Sequence, residues 1–342
     1  MFKSAKLVSM TGAAVLALLA WPSVHAHELR VVSTFSIISD FARNVGGERI
    51  ALTTLVPSNG DAHAYEPKPA DAIAVGKADL ILANGLHFEG FLDRLVQASG
   101  AAAPVIVLTQ GVELLRNTAD DHADPADHDD HDHDHDHDHD HDHDHDHDHD
   151  HDHDHEQAHA AHDHHGAYDP HAWQSVRNAR VYVGNIAKAF CAADAAGCPG
   201  YQANARAYDE KLQALDAELK SSVARIPTDR RAIITSHDAF GYLGREYGLQ
   251  FLAPQGMSTG SEASAAGVAA LIRQIKDQKA SALFLENISN PRLIQQIADE
   301  TGMKVGGELY SDALSAADGP ASTYIEMMRH NVDTIRDAAL GQ

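Results

Sequence analysis

The chain has 342 residues with 26 Lys+Arg against 50 Asp+Glu, a formal charge of −24 that excludes a generic nucleic-acid binder, which needs a basic face. The imbalance is local, because residues 120–165 hold nineteen Asp, Glu156, nineteen His and no Lys or Arg, so the rest of the chain is close to neutral. Outside that segment and a leader over 1–26, about 270 residues remain, enough for two domains of roughly 100–150 residues with cores of their own.

Lys3 and Lys6 precede an apolar run from Leu7 to Trp21, and Val24-His25-Ala26 places small residues at the −3 and −1 positions of a cleavage site. This pattern predicts a secretory signal peptide over 1–26, a mature chain starting at His27 and export. The run is shorter than the roughly 20 residues of a membrane span. A lipid anchor would need a Cys just after the leader, and the only cysteines are Cys191 and Cys198, so none is expected.

From Leu29 short β-rich runs alternate with helical patterns. A strand is predicted over Leu29–Ser33, then a helix carrying Ile37, Ile38, Phe41 and Val45, then a strand over Ile50–Val56. The rhythm continues with a strand at Ala78–Ala83, an amphipathic helix from Phe88 to Ala98 and a strand at Val105–Leu108. It resumes with strands at Ala232–Thr235 and Phe251–Leu252, and a helix carrying Val268, Leu271, Ile272 and Ile275 on one face. A strand at Ala282–Leu285, a helix over Pro291–Thr301 and a strand at Met303–Val305 follow. Repeated βα units imply parallel sheets covered by helices, hence an α/β fold of two lobes.

Between the halves, Tyr201, Ala205, Tyr208, Leu212, Leu215 and Leu219 recur at steps of three and four. They predict one rigid helix over 199–226, roughly 42 Å long, able to cross both lobes. The expected organisation is an N-terminal lobe over 27–198, a linker helix over 199–227 and a C-terminal lobe over 228–342. Such a linker predicts closure by small movements. Cys191 and Cys198, seven apart in an exported chain, predict a local disulfide that staples one helix end to the next helix start. Residues 120–165 are almost without apolar side chains, and Asp-His repeats unbroken from Asp130 to His155, so this insert is expected to be disordered.

Outside the tract the histidines are few. His63, His171 and His237 sit in polar or Pro-flanked loops at the ends of strands or starts of helices, where α/β folds place binding groups, and Asp312 follows the strand near Met303. Each taken singly has an ordinary alternative as a solvated or helix-capping residue. His87 is expected at the surface or at a helix start, and His330 in solvent.

The words around these residues carry a resemblance. His-Ala-Tyr-Glu-Pro at 63–67, Asp-Pro-His-Ala-Trp at 169–173, Ser-His-Asp-Ala-Phe at 236–240, Glu-Asn at 286–287 with Asn-Pro-Arg at 290–292, and Tyr-Ser-Asp-Ala-Leu at 310–314 resemble the metal-binding solute-binding proteins of bacterial ABC importers. The resemblance runs from about His27 to Leu340, apart from the insert. It implies metal ligands at His63, His171, His237 and Asp312, drawn from both lobes. It further implies zinc, since the third ligand is His in zinc proteins of this group and Glu in manganese ones, and many zinc members carry a His-rich insert between the first two ligand motifs. Three imidazoles with one carboxylate agree with tetrahedral Zn²⁺, whereas Mn²⁺ favours more oxygen donors.

On this reading the chain is a monomeric periplasmic zinc receptor, not an enzyme, serving an inner-membrane ABC permease with a separate ATPase subunit and accepting metal from a periplasmic zinc chaperone. No Gly-x-x-x-x-Gly-Lys-Ser/Thr loop occurs, so ATP hydrolysis falls to another chain. Parting the lobes is expected to halve the coordination shell. Glu66, Glu262 and Glu286 are the candidates to accept the second N–H of the bound imidazoles, with caps and salt bridges as their ordinary alternative. The tract, with His131, His133, His135, His151, His153 and His155, offers an accessory low-affinity zinc trap; a solubilising spacer is its alternative. Competing readings are a manganese or iron receptor of the same group and a secreted zinc-dependent adhesin or hydrolase. A hydrolase would need an open metal position and a general base, and no His-Glu-x-x-His helix is present.

Overall fold

A computed structural model describes residues 28–117, 166–278 and 280–342. The predicted leader and the Asp/His tract, including His131, His133, His135, His151, His153 and His155, lie outside these residues.

The first lobe runs β1 (Leu29–Phe35), α1 (Ser36–Gly46), β2 (Ile50–Val56), α2 (Pro69–Lys77), β3 (Leu80–Ala83), α3 (Leu92–Ser99) and β4 (Val105–Val107). Its sheet is parallel throughout in the order β2-β1-β3-β4, with Leu29 opposite Ile50, Val31 opposite Leu80 and Ile81 opposite Val105. β1 is buried almost along its length, Arg30 alone being exposed, because helices cover both faces of the sheet.

α4 (Val176–Ala193) and α5 (Cys198–Ala224) follow, then β5 (Ala232–Ile234), α6 (Gly241–Tyr247), β6 (Gln250–Leu252), α7 (Ala265–Gln278), β7 (Ala282–Glu286), α8 (Arg292–Thr301), β8 (Val305–Leu309) and α9 (Tyr324–Leu340). The second sheet, β6-β5-β7-β8, repeats the strand order of the first and is also parallel. In both sheets the first strand is flanked by the second on one side and the third on the other. The carboxyl end of that strand is the switch point where such folds bind ligands.

α5 is 27 residues long and buries Tyr201, Tyr208, Leu212, Leu215 and Leu219 of the stripe expected from the sequence, with Ala205 half-buried and Val223 extending it. It packs on α1 and α4 of the first lobe and on α6 and α9 of the second. It starts one residue before the expected helix, at Cys198, and ends at Ala224. Beyond Arg225 the chain turns into a 3-10 segment at Thr228–Arg230. Cys191 and Cys198 are joined in a disulfide, tying the last turn of α4 to the first residue of α5. Asp194, between them, takes hydrogen bonds from Arg49 at 2.8 Å, Tyr201 at 2.8 Å and the Gly197 amide at 3.0 Å.

One apolar core runs without a break from the first lobe through α5, α6 and α9. A second, separate cluster, with Ile234, Val268, Leu271, Ile275, Leu283, Ile294 and Ile297, lies where α7 and α8 cover the other face of the second sheet. No helix among the described residues is long and apolar enough to cross a membrane. His330 departs from expectation: it is half-buried on α9, its Nε2 3.0 Å from the Glu308 carbonyl and its ring edge-on to Tyr310. His87 is exposed in a turn of positive φ that it shares with Leu86.

Candidate metal centre

His63 belongs to the loop leaving β2. Its amide donates to Asp61 Oδ1 at 2.9 Å, and its ring stands edge-on to Phe88 with centroids 4.7 Å apart. An Asp two residues upstream closes a local turn of this kind. His171 uses the same device, its amide donating to Asp169 Oδ1 at 2.9 Å, just before the turn at Ala172–Gln174 that leads into α4. Pro170 is held from the first sheet, since Asn84 Nδ2 donates to its carbonyl at 2.9 Å. The Asn84 amide in turn donates to Glu89, whose buried carboxylate also accepts from Thr34 and Gly85. Burial pushes the Glu89 carboxyl above the usual range.

His237 follows β5. The amides of Ser236 and His237 both donate to Glu286 Oε1, at 2.7 and 2.9 Å, so the end of β7 shapes the turn that closes β5. Asp312 lies in the loop leaving β8. All four residues therefore sit at the carboxyl ends of strands or at the turn facing them.

The four side chains meet. Asp312 Oδ2 is 3.3 Å from His63 Nε2 and 3.2 Å from His237 Nε2, and Oδ1 is 3.6 Å from His171 Nε2. One ligand atom from each residue lies within 4.8 Å of every other. His171, His237 and Asp312 are fully buried, and the His63 side chain is 5 % exposed. His63 Nε2, His171 Nε2 and Asp312 Oδ1 are buried without a hydrogen-bond partner, although all three face one point. Buried polar atoms are rarely left so, and a cation at that point satisfies them together.

Carboxylates stand behind two of the rings. His171 Nδ1 is 2.8 Å from Asp169 Oδ1, and His237 Nδ1 is 2.6 Å from Glu286 Oε2. A carboxylate on Nδ1 fixes the tautomer that presents Nε2 to a metal. Glu286 thus occupies the position for which the sequence made it a candidate. Glu66 and Glu262 do not: both side chains are exposed, Glu66 on the far end of the His63 loop and Glu262 on the loop before α7. Asp169 was missed, although its place two residues before His171 was the available signal. Without metal, burial opposes charge on His237, but Glu286 and Asp312 together outweigh it and hold the imidazole well above its ordinary range. Burial likewise opposes charge on Asp312, and His237 and His171 overcome it, holding the carboxyl well below its usual range.

Residues 31–338 match the family described as zinc-uptake complex component A, periplasmic. The chain is 31 % identical over 314 residues to the iron-binding protein YfeA of Yersinia pestis, covering 92 % of this chain and 87 % of that one. It is 30 % identical over 306 residues to the manganese-binding lipoprotein MntA of Halalkalibacterium halodurans, covering 90 % and 87 %. Among solved structures, the periplasmic zinc binding protein TroA from Treponema pallidum superposes with a TM-score of 0.74 at 26 % identity, over 90 % of this chain and 98 % of that one. A Mn-bound periplasmic metal binding protein from Candidatus Liberibacter asiaticus gives 0.71 at 29 %, with the same coverage.

The two parallel-sheet lobes are those of the TroA-like periplasmic binding proteins. The chain belongs to the zinc-uptake component A family, the periplasmic metal-binding receptors of ABC importers. Members of this family are binding components of transport systems, working with a membrane permease and an ATPase, rather than hydrolases.

Proposed function

We propose that this receptor captures Zn²⁺ in the periplasm, with His63, His171, His237 and Asp312 as ligands, and delivers it to an ABC permease. The observation that carries the reading is the convergence of three imidazole nitrogens and one carboxylate, all within 4.8 Å of one another and shielded from solvent. Ligands about 2 Å from a tetrahedral Zn²⁺ lie roughly 3.3 Å apart. The distances of 3.2 and 3.3 Å from Asp312 Oδ2 to the His237 and His63 nitrogens are close to that value. Nitrogen-rich sets favour zinc over Mn²⁺, which takes more oxygen.

A receptor for manganese or iron is the second reading, favoured by the names of the relatives and by the Asp312 carboxylate, which presents both oxygens to the cluster. The leader over 1–26 is taken to be cleaved after Ala26, releasing a monomer that starts at His27. The Asp/His tract at 120–165 is assigned an accessory, weak, fast-exchanging zinc trap, and a periplasmic chaperone is a candidate donor of metal.

Competitive titration of the mature protein with Zn²⁺, Mn²⁺ and Fe²⁺, with metal-content analysis, tests this directly. One tight zinc is expected to survive deletion of 120–165 and to be weakened in His237→Ala. If the deletion abolishes tight binding and His237→Ala keeps it, the tract is the principal site and the ligand assignment fails. Manganese or iron in place of zinc in protein isolated from cells supplied with all three metals selects the second reading.

A further inference from the structure

By place in the chain the four ligands divide evenly, His63 and His171 before α5 and His237 and Asp312 after it. Hydrogen bonding divides them differently. Trp173 Nε1 and Gln174 Nε2, two and three residues past His171, both donate to the Ser311 carbonyl, at 2.9 and 2.7 Å. The Leu314 amide donates to Ser36 Oγ at 2.9 Å, and the Asn59 amide, in the loop that carries His63, donates to the Leu314 carbonyl at 2.9 Å. These bonds bracket Asp312 on both sides and fasten its loop to the first lobe. The clamp continues inward, for Tyr324 donates its hydroxyl to the Trp173 carbonyl at 2.7 Å and its amide to Asp40 on α1 at 3.1 Å. Trp173, Gln174, Ser311, Asp312 and Tyr324 are all buried.

His237 is held from the other side. Besides the two amide bonds to Glu286, Thr235 Oγ1 donates to the His237 carbonyl at 3.1 Å and the Asp238 amide donates to the Gly256 carbonyl at 3.2 Å. His237 and Glu286 close strands that straddle the two cores: Ile234 and Leu283 face the separate apolar cluster under α7 and α8, while Ile233, Ala282 and Phe284 face the core that links the lobes. α6 itself stays with the first lobe, since the Tyr242 hydroxyl donates to the Asp169 carbonyl at 3.0 Å and accepts from the Leu115 amide at 3.0 Å. At the rim, the outer layer touches the first lobe and the Asp312 loop through side chains: Thr259 Oγ1 donates to Asp61 Oδ2 at 2.6 Å, and Asn287 Nδ2 donates to Asn59 Oδ1 at 3.1 Å and to the Ala313 carbonyl at 3.3 Å.

We infer that Trp173 and Gln174 are positioning residues that hold Asp312 with His63 and His171 as one three-ligand block, and that His237 is the ligand that withdraws when the metal is released. The inference rests on the four-ligand receptor reading above. It replaces an even split of the shell by a three-to-one split. A displacement of the turn that closes β5, on the side of the sheet under α7 and α8, carries His237 away, and a partial site remains on the rest of the molecule. A partly liganded ion in an opened site is a form that a permease can take over, whereas two half-sites would compete for it.

The test compares three variants that each lose one imidazole: His63→Ala, His171→Ala and His237→Ala. Chelator competition gives zinc affinity, and the visible absorption of bound Co²⁺ reports the remaining shell. The expected result is that His237→Ala binds at least roughly 10-fold more tightly than either of the others and still gives a defined Co²⁺ spectrum, one ligand change being comparable to the usual effect of a metal-supporting group. Equal losses in all three overturn the split and leave the receptor reading standing; wild-type affinity in all three overturns the receptor reading itself. Gln174→Met tests the fork: it is expected to speed zinc release roughly 10-fold and to shift the Co²⁺ spectrum, with the melting temperature of the metal-free protein retained. Unchanged release and spectrum remove the positioning role. If Gln174→Met does not fold, Trp173→Phe, which keeps a ring in the core and deletes the other donor, is read by the same criteria.

Discussion

His237 is the residue on which pH acts most directly. Before metal binds, its two nitrogens face Glu286 Oε2 at 2.6 Å and Asp312 Oδ2 at 3.2 Å, and these carboxylates hold a proton on the ring well above the ordinary value of 6.5 despite burial. That proton must leave before Nε2 can coordinate. Affinity therefore rises with pH through 6.5 and continues to rise above it, and it falls as the pH drops. Calorimetry at pH 7 in buffers of differing ionisation heat should find about one proton released per zinc, and zinc binding without proton release contradicts this account. Glu286→Gln removes the acceptor on Nδ1 and is expected to weaken zinc binding by roughly 10- to 100-fold, measured by chelator competition. The four candidate ligands were legible because each sits in a distinctive run of neighbours. The supporting groups were less so. Glu66 lies three residues from His63 yet is exposed, whereas Glu286, 49 residues from His237, closes on its ring.

At the scale of elements, the α4–α5 corner shows how a helix junction is held. The Arg49 guanidinium, with help from Tyr201 and the Gly197 amide, holds the Asp194 carboxyl down at about 2 against an ordinary 3.8. A carboxylate depressed in the folded state contributes stability that is fully present above the unfolded value and is lost as the pH falls from 3.8 towards about 2. Asp194→Asn should therefore melt at a lower temperature than the parent at pH 7, and the gap should close near pH 2 when both are followed by circular dichroism. A persistent gap at pH 2 assigns the effect to packing. Leu215, 1 % exposed on the inner face of α5, should cost about 2–5 kcal/mol on truncation to Ala in chemical denaturation.

α5 was readable because its apolar period runs for many turns. α2, with the sequence PADAIAVGK, was missed because small residues blur the period, and α6 because it has only 7 residues. β8 was expected at Met303–Val305 and lies at Val305–Leu309, running through Gly306 and Gly307. The structure shows why they are there. A Cβ on Gly306 would meet Ala338 at 2.8 Å and Phe284 at 2.9 Å, so α9 packs directly on the strand backbone, and Gly307 adopts a φ of 145°.

Across the whole molecule, the tract joins two chain ends that are already fastened. The Asp169 amide donates to the Leu115 carbonyl at 2.9 Å, the Asn117 amide to the Ala167 carbonyl at 3.0 Å, and Arg116 bridges Tyr168 between them. The folded part does not need the tract to bring these ends together. Replacing 120–165 by a short Gly/Ser turn should leave the melting temperature of the metal-free protein unlowered and raise it by at most several degrees, because shortening a loop between apposed ends removes only about 2 kcal/mol of closure entropy. A fall of many degrees would show that the tract takes part in the fold.

The sequence by itself determined the α/β alternation, the long helix between the lobes and the cysteine pairing, and through its resemblance to a family it pointed to the four candidate ligands. These are properties of period, spacing and adjacent residues, which a linear chain displays directly. Tertiary structure decided which acids stand behind the rings, that Asp169 and Glu286 do so while Glu66 and Glu262 do not, and that the Asp312 loop is bolted to the first lobe. Those outcomes rest on hydrogen bonds between groups far apart in the chain, such as Trp173 and Ser311, 138 positions apart. No local period encodes such a pairing; it exists only once both sheets have closed around one core and buried donors must find acceptors.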